Sequence, residues 1–258
     1  MQDEAAVQDE AMENVTANEE PLRGGRITSG VVRVGNTVRR PATASSPFVV
    51  ELLTHLHHQG FTGAPRHLGF DSDGRETLSH LPGWVPARFQ TWRAHQIAAA
   101  GTLLRAFHDA TRDSHLTGPR SVVCHHDPGP NNTVFSCGVP TAFIDFDTAA
   151  PGEPLEDLGY MAWTWCISSK PTAPPPTSQA AQLRTLTDAY GLDAASRPHM
   201  LDAVLTRQLR NAACWRTHLT PPPPPVASAT QIHERIHWSE REHAYTSTHR
   251  STFAAALT

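Results

Sequence analysis

His125-His126-Asp127-Pro128-Gly129-Pro130-Asn131-Asn132, followed ten residues later by Phe143-Ile144-Asp145-Phe146-Asp147, is the stretch that decides how this chain reads. As a pattern it is H-x-D, four residues, N, a short hairpin, then two apolar residues and D-x-D. Pro128, Gly129 and Pro130 favour a tight loop, in which a carboxylate and an amide five residues apart face one point. The hairpin then returns the chain and sets Asp145 beside them. An amide oxygen and a carboxylate are hard ligands of the kind magnesium prefers, with phosphate oxygens and water filling the other positions. A second carboxylate is left to accept a proton from an attacking hydroxyl. That division of labour is the one used in kinase-type phosphoryl transfer, which rests on positioning and charge stabilisation.

Outward from this stretch the pattern separates into two regions. Val31, Val32 and Val34 and then Thr37 and Val38, joined by Gly35-Asn36, read as a β-hairpin. Val49, Leu52, Leu53 and Leu56 recur at helical period from Pro47 to about Gly60. Pro65 to Gly69 and Glu76 to Leu81 read as two more strands around the turn Asp71-Ser72-Asp73-Gly74. Residues 22–81 therefore form an expected small sheet-plus-helix lobe, and residues 82–258 a mostly helical one. Within the second, Ile97, Leu103, Leu104 and Phe107 mark one helix, a hairpin of Thr133–Phe135 with Ala142–Phe146 turns at Cys137-Gly138, and further helices run from Asp157, Gln179, Pro198 and Ala229. The run Pro221 to Pro225 breaks the last two apart.

Composition narrows the function classes. The 258 residues carry 21 Lys and Arg against 25 Asp and Glu, a formal charge of −4, which argues against a general nucleic-acid binder. No apolar run approaches the roughly 18–20 residues of a membrane span. Residues 1–21 are acidic and poor in large apolar side chains, an expected disordered tail that lacks the charge pattern of a signal peptide, so a cytoplasmic location is the default. Cys124, Cys137, Cys166 and Cys214 stand far apart, with no metal-binding spacing, and read as mostly buried thiols.

The segment from His125 through Asp147, continued by Thr148–Pro154 and Asp157-Leu158-Gly159-Tyr160, resembles the signature of the aminoglycoside phosphotransferase and choline kinase-like superfamily. Leu104–His108, the bend from Gly60 to Pro65 and the Leu81-Pro82-Gly83 hinge resemble it in the same order, so the likeness covers about Gly24 to Trp165. It implies an α+β, two-lobed protein-kinase-like fold and an ATP- and Mg2+-dependent kinase. The phosphoryl acceptor would be a small-molecule hydroxyl on an aminoglycoside-like antibiotic, an amino sugar or a choline-like metabolite. By the same resemblance Asp127 is the catalytic base, Asn132 and Asp145 are magnesium ligands with Asp147 assisting, Ser79, His80 and Leu81 receive adenine, and Asp157 braces the catalytic loop.

The chain departs from that family at the strand lysine that holds nucleotide phosphates, because its single lysine, Lys170, lies far downstream. Arg39 or Arg40 is the expected replacement, and since neighbours on a strand face opposite ways only one enters the cleft. Glu51 is the sole acid in the Pro47–Gly60 helix, which leaves open whether it faces the cleft as the partner of that cation, and Gly24–Gly30 has three glycines without kinase spacing. The missing lysine motivates a second reading, a nucleotide-binding pseudokinase-type module. A third, a metal-dependent phosphohydrolase built on His108-Asp109 and His126-Asp127, leaves Asn132 and Asp145 without a role.

Overall fold

A computed structural model describes residues 19–22, 30–86, 90–220 and 227–258. The sheet comprises β1 (Glu20–Pro21), β2 (Val32–Val34), β3 (Thr37–Arg40), β4 (His67–Phe70) and β5 (Glu76–Ser79), in the order β1-β2-β3-β5-β4 with antiparallel pairing throughout. Gly35 holds φ +58 in the β2–β3 turn, the left-handed conformation that a tight hairpin asks of glycine. Between β3 and β4 runs α1 (Ser46–His58), whose Val49, Leu52, Leu53 and Leu56 are buried. The acidic tail does not extend to Pro21 as expected. Glu20 and Pro21 add an edge strand to β2, and Glu19 pairs with Arg75 at 2.8 Å. Residues 1–18, most of Gly24–Gly30 and Pro221–Pro225 lie outside the described residues.

Below the sheet, α2 (Ala94–Thr111) turns Ile97, Ala100, Leu104 and Phe107 inward. The catalytic stretch sits between β6 (Val122–Cys124) and a hairpin of β7 (Thr133–Ser136) with β8 (Val139–Phe143). β9 (Ala150–Gly152) pairs back on β6 and delivers the chain to α3 (Pro154–Met161), which runs on through one π turn, Ala162–Cys166. Four helices complete the lobe: α4 (Pro176–Tyr190), α5 (Met200–Thr217), α6 (Ala229–Thr248) and α7 (Arg250–Ala255).

One apolar core runs from Leu53 and Leu78 through Phe107, Phe143 and Trp165 to Leu183 and Phe253, so both lobes share it. Gly83, at φ +147, is where the chain crosses between them. A Cβ there would sit 2.3 Å from the Phe135 carbonyl oxygen, and next to it Trp84 and Phe135 exchange both backbone hydrogen bonds and stack at 5.0 Å. Trp92 and Trp165 continue that stack, and the Trp165 indole N–H donates to the Pro128 carbonyl at 3.0 Å, tying the core to the catalytic loop. Of the cysteines, Cys124 and Cys166 are buried, but Cys137 at the hairpin tip and Cys214 on α5 are exposed, because neither position faces the core. Among the described residues no helix is long and apolar enough to cross a membrane.

Candidate active site

The loop after β6 is held from beneath by one carboxylate. Asp157, fully buried on α3, accepts the backbone N–H groups of His125 and His126, each at 2.7 Å, and meets His108 Nε2 at 3.1 Å. Burial is the largest influence on its carboxyl and pushes the pKa up. The hydrogen bond and charge of His108 and the nearby histidines outweigh it, and the net shift is downward. His126 holds φ +62, a conformation costly for a residue with a Cβ, and this turn throws Asp127 out toward the cleft. His125 is buried against Phe146 at 4.6 Å between ring centroids, its Nε2 3.1 Å from the Ile144 carbonyl, so it braces the loop. His108 likewise spends both nitrogens internally, on Tyr190 and Asp157, and Asp109 pairs with Arg105. The two His-Asp doublets thus do not assemble a phosphohydrolase centre.

Asn132 turns its amide nitrogen to Asp127, 2.7 Å from Oδ2 and 3.0 Å from the backbone oxygen, which leaves its Oδ1 facing away and touched only by Asn131 Nδ2 at 3.1 Å. The hairpin closes on the same point, because Ile144 N–H donates to the Asn132 carbonyl at 2.9 Å. The next residue, Asp145, takes φ +65 and ψ +64. Its side chain is half exposed, yet the protein around it removes enough water to raise its carboxyl pKa, and the charge of Asp147, with a smaller share from Asp127, raises it further against the pull of Arg40. An oxygen-only donor set of Asn132 Oδ1, Asp145 and Asp147, carrying more negative charge than its surroundings neutralise, is chemically fitted to a hard divalent cation such as Mg2+.

Arg40 and Arg39 separate as strand alternation requires. Arg40 is buried. Its Nε lies 2.9 Å from Glu76, directly across from it in the β3–β5 register, its NH1 lies 3.8 Å from Asp145, and its NH2 forms a short hydrogen bond to Asp147. Burial works to lower the Arg40 pKa, but the Asp147 hydrogen bond and the charges of Asp147, Glu76 and Asp145 together raise it. Arg39 faces the other way, 3.8 Å from Asp71 and 3.9 Å from Glu19. Glu51 is not the partner of the strand cation. It sits on the exposed side of α1 and pairs with His115 at 2.6 Å, whereas Glu76 occupies the place expected for it.

At the hinge, the Ser79 N–H donates to the Arg66 carbonyl and the His80 N–H to the Asn36 carbonyl, and among the described residues the Leu81 N–H donates to no backbone carbonyl. Burial and then the Arg33 charge lower the His80 imidazole pKa.

Three further residues belong to this cleft and were not singled out from the sequence. Glu76 had a readable signal, since it shares its strand face with Leu78 and so had to point inward with a partner. Tyr160, one helical turn beyond Asp157, reaches the same loop, near enough for the Asp127 charge to act on its phenol. Burial and the Asp127 charge push its phenol pKa well above the ordinary value. Arg207 on α5 donates to the His126 carbonyl at 2.5 Å and lies 4.7 Å above the Tyr160 ring, a contact between distant segments with no sequence signal. Glu153 and Glu156 are helix-end acids, with Glu156 Oε1 accepting the Glu153 N–H at 3.2 Å.

A five-stranded lobe and a helical lobe sharing a core, with an oxygen-rich cleft between them, are the architecture of the protein-kinase-like small-molecule phosphotransferases. Residues 104–200 match the model of the phosphotransferase enzyme family. The trifolitoxin immunity protein of Rhizobium leguminosarum bv. trifolii is 31% identical over 256 residues, spanning 91% of this chain and 96% of that one. The chain belongs to the phosphotransferase enzyme family. Among solved structures, a choline/ethanolamine kinase family protein from Mesorhizobium loti superposes with a TM-score of 0.62 at 19% identity, covering 95% of this chain and 93% of that one. An ADP-bound aminoglycoside phosphotransferase superposes with a TM-score of 0.58 at 12% identity, covering 94% and 95%. These structures share the fold.

Proposed function

We propose that this protein transfers the γ-phosphoryl group of ATP to a hydroxyl of a small molecule. The observations that support the reading are Asn132 Nδ2 on Asp127 Oδ2 at 2.7 Å, and Asp145 with Arg40 3.8 Å from it on the hairpin behind that loop. In this reading Asp127, oriented by Asn132 Nδ2 and Tyr160, accepts the proton of the acceptor hydroxyl as its oxygen attacks the γ-phosphorus and the bond to the ADP oxygen breaks. Arg40, fixed by Glu76, binds the phosphates in place of a lysine; its planar fork suits phosphate and keeps its charge at any working pH. Asn132 and Asp145, with Asp147, would hold Mg2+, which supplies neutralisation of the charge on the β- and γ-phosphates. Adenine would lie along Ser79, His80 and Leu81, with Leu81 offering the backbone donor.

The relative named for immunity to trifolitoxin and the aminoglycoside phosphotransferase among the structural neighbours favour an antibiotic or toxin as acceptor over a housekeeping metabolite. Arg40 supports this reading over the pseudokinase one, since it brings a buried cation beside Asp145 and Asp147. The test is ADP release with Mg2+, ATP and a panel of hydroxyl compounds. Acceptor-stimulated turnover is expected to fall about 10²–10⁴-fold in Asp127→Asn. Nucleotide binding by wild-type protein with no acceptor-stimulated turnover would turn the assignment toward the pseudokinase-type module.

A further inference from the structure

The residue that delivers the chain to Asp127 is gripped at both ends. His126 stands at φ +62, a conformation that a residue with a Cβ keeps only when its surroundings hold it there. Its N–H donates to Asp157 Oδ1 at 2.7 Å, and its carbonyl accepts from Arg207 NH2 at 2.5 Å. That carbonyl belongs to the peptide bond into Asp127, so a rotation there swings the Asp127 carboxylate. Asp157 acts from α3, whereas Arg207 acts from α5, 81 residues away along the chain.

The guanidinium is itself fixed by the way the two helices cross. Gly159 brings α3 so close to α5 that a Cβ on it would lie 2.9 Å from the Ala203 carbonyl oxygen. Arg207 is one helical turn beyond Ala203 and Tyr160 follows Gly159, so the crossing seats Arg207 4.7 Å over the Tyr160 ring. The same ring packs against the loop, where a Cβ on Gly129 would lie 3.4 Å from it. Tyr160 thus supports the turn after Asp127 directly and the turn before it through Arg207.

We propose that Arg207 is a positioning residue for phosphoryl transfer, fixing through the His126 carbonyl where the Asp127 carboxylate meets the acceptor hydroxyl. This rests on the phosphotransferase reading above and brings α5 into its machinery. Reaction geometry is steep in distance, and a displacement of about 1 Å costs on the order of 10²-fold in rate. The nucleotide side of the cleft, Arg40 with Asp145 and Asp147, is held by other contacts, so loss of Arg207 acts on kcat and not on ATP binding.

The experiment follows acceptor-stimulated ADP release, Mg-ATP binding by thermal shift, and amide hydrogen exchange of residues 125–129 in the full chain. Arg207→Gln is expected to lower kcat at least tenfold, to leave KM for ATP within twofold and the Mg-ATP thermal shift unchanged, and to speed exchange in 125–129 at least tenfold. Arg207→Lys is expected to restore part of kcat, because its ammonium can reach the carbonyl without the flat seat on Tyr160. Tyr160→Leu removes that seat, and Arg207→Gln added to it is expected to cost less than threefold more, as for residues that act as one unit. Arg207→Lys and Tyr160→Leu keep the inference testable if Arg207→Gln fails to fold. A kcat for Arg207→Gln within twofold of the wild type, unchanged exchange in the loop, a loss read in KM for ATP instead of kcat, or full additivity of the two substitutions overturns the inference while leaving the phosphotransferase reading standing. Wild-type protein with no acceptor-stimulated turnover overturns that reading itself, and the inference falls with it.

Discussion

At the scale of single residues, the cleft is built from side chains whose partners are as important as their own chemistry. Arg40 illustrates this, because among the described residues it is the cation paired with Glu76, which is itself nearly fully buried with neither carboxylate oxygen in a hydrogen bond. Arg40→Ala is expected to cost about 3–5 kcal/mol in chemical denaturation by stranding that charge, whereas Arg40→Lys should keep most stability and lose phosphate affinity. Asp157 gives a pH signature. Its folded pKa lies below the unfolded value, so the stability it lends is complete above the ordinary carboxylate range near pH 4 and drains away as pH falls through the lower folded value. Asp157→Asn should therefore lose about 1.5–3 kcal/mol at neutral pH and show a shallower decline in acid unfolding than the wild type. The spacing of Asp127, Asn132 and Asp145 was legible because loop chemistry constrains three residues together. The directions of Arg39 and Arg40 were not, since alternation says that the two differ without saying which face is the cleft. The structure turns Arg40 toward Glu76, Asp145 and Asp147, and Arg39 toward Asp71.

At the scale of elements, close approach of backbones fixes how the helices cross. Gly159 packs α3 on α5, and a Cβ there would lie 2.8 Å from the Ala203 carbonyl carbon and 2.9 Å from its oxygen. Gly159→Ala is expected to destabilise by about 1–3 kcal/mol, read as a lower Tm, and to reduce turnover further because α3 carries both Asp157 and Tyr160 to the catalytic loop. The hairpin of β2 and β3, helices α1 and α2, and the β7–β8 ribbon were legible from period and turn residues. Three features were not. β9 contains Pro151 and is three residues long, below what alternation resolves. β1 is an acid and a proline recruited by pairing to β2, against their own preference. The π turn at Ala162–Cys166 extends α3 by a packing constraint, Trp163 stacking on Trp238 at 4.3 Å, that arises only once α6 is in place.

At the scale of the whole molecule, a core shared between lobes makes occupancy of the cleft and global stability one equilibrium. Saturation with Mg-ATP at about 100 times its Kd should add roughly 2.7 kcal/mol and raise Tm, and Asp145→Asn should shrink that gain without lowering the Tm of the free protein, since loss of water around it and then the Asp147 charge already disfavour its ionised form in the unliganded state. The two-lobed fold and its kinase-like class could be read from 35 residues or so of signature together with strand-helix order. The grip of Arg207 on the Tyr160 ring and the His126 carbonyl could not, because α3, α5 and the loop after β6 meet only in the folded chain.

Because a guanidinium anchored in the sheet already grips Asp147 from the opposite side of the groove, the empty enzyme carries its own tethered counter-ion. On the proposed reading an arriving metal-bound nucleotide would meet a groove whose negative charge is already partly balanced, and the same pair ties the two lobes together before anything binds.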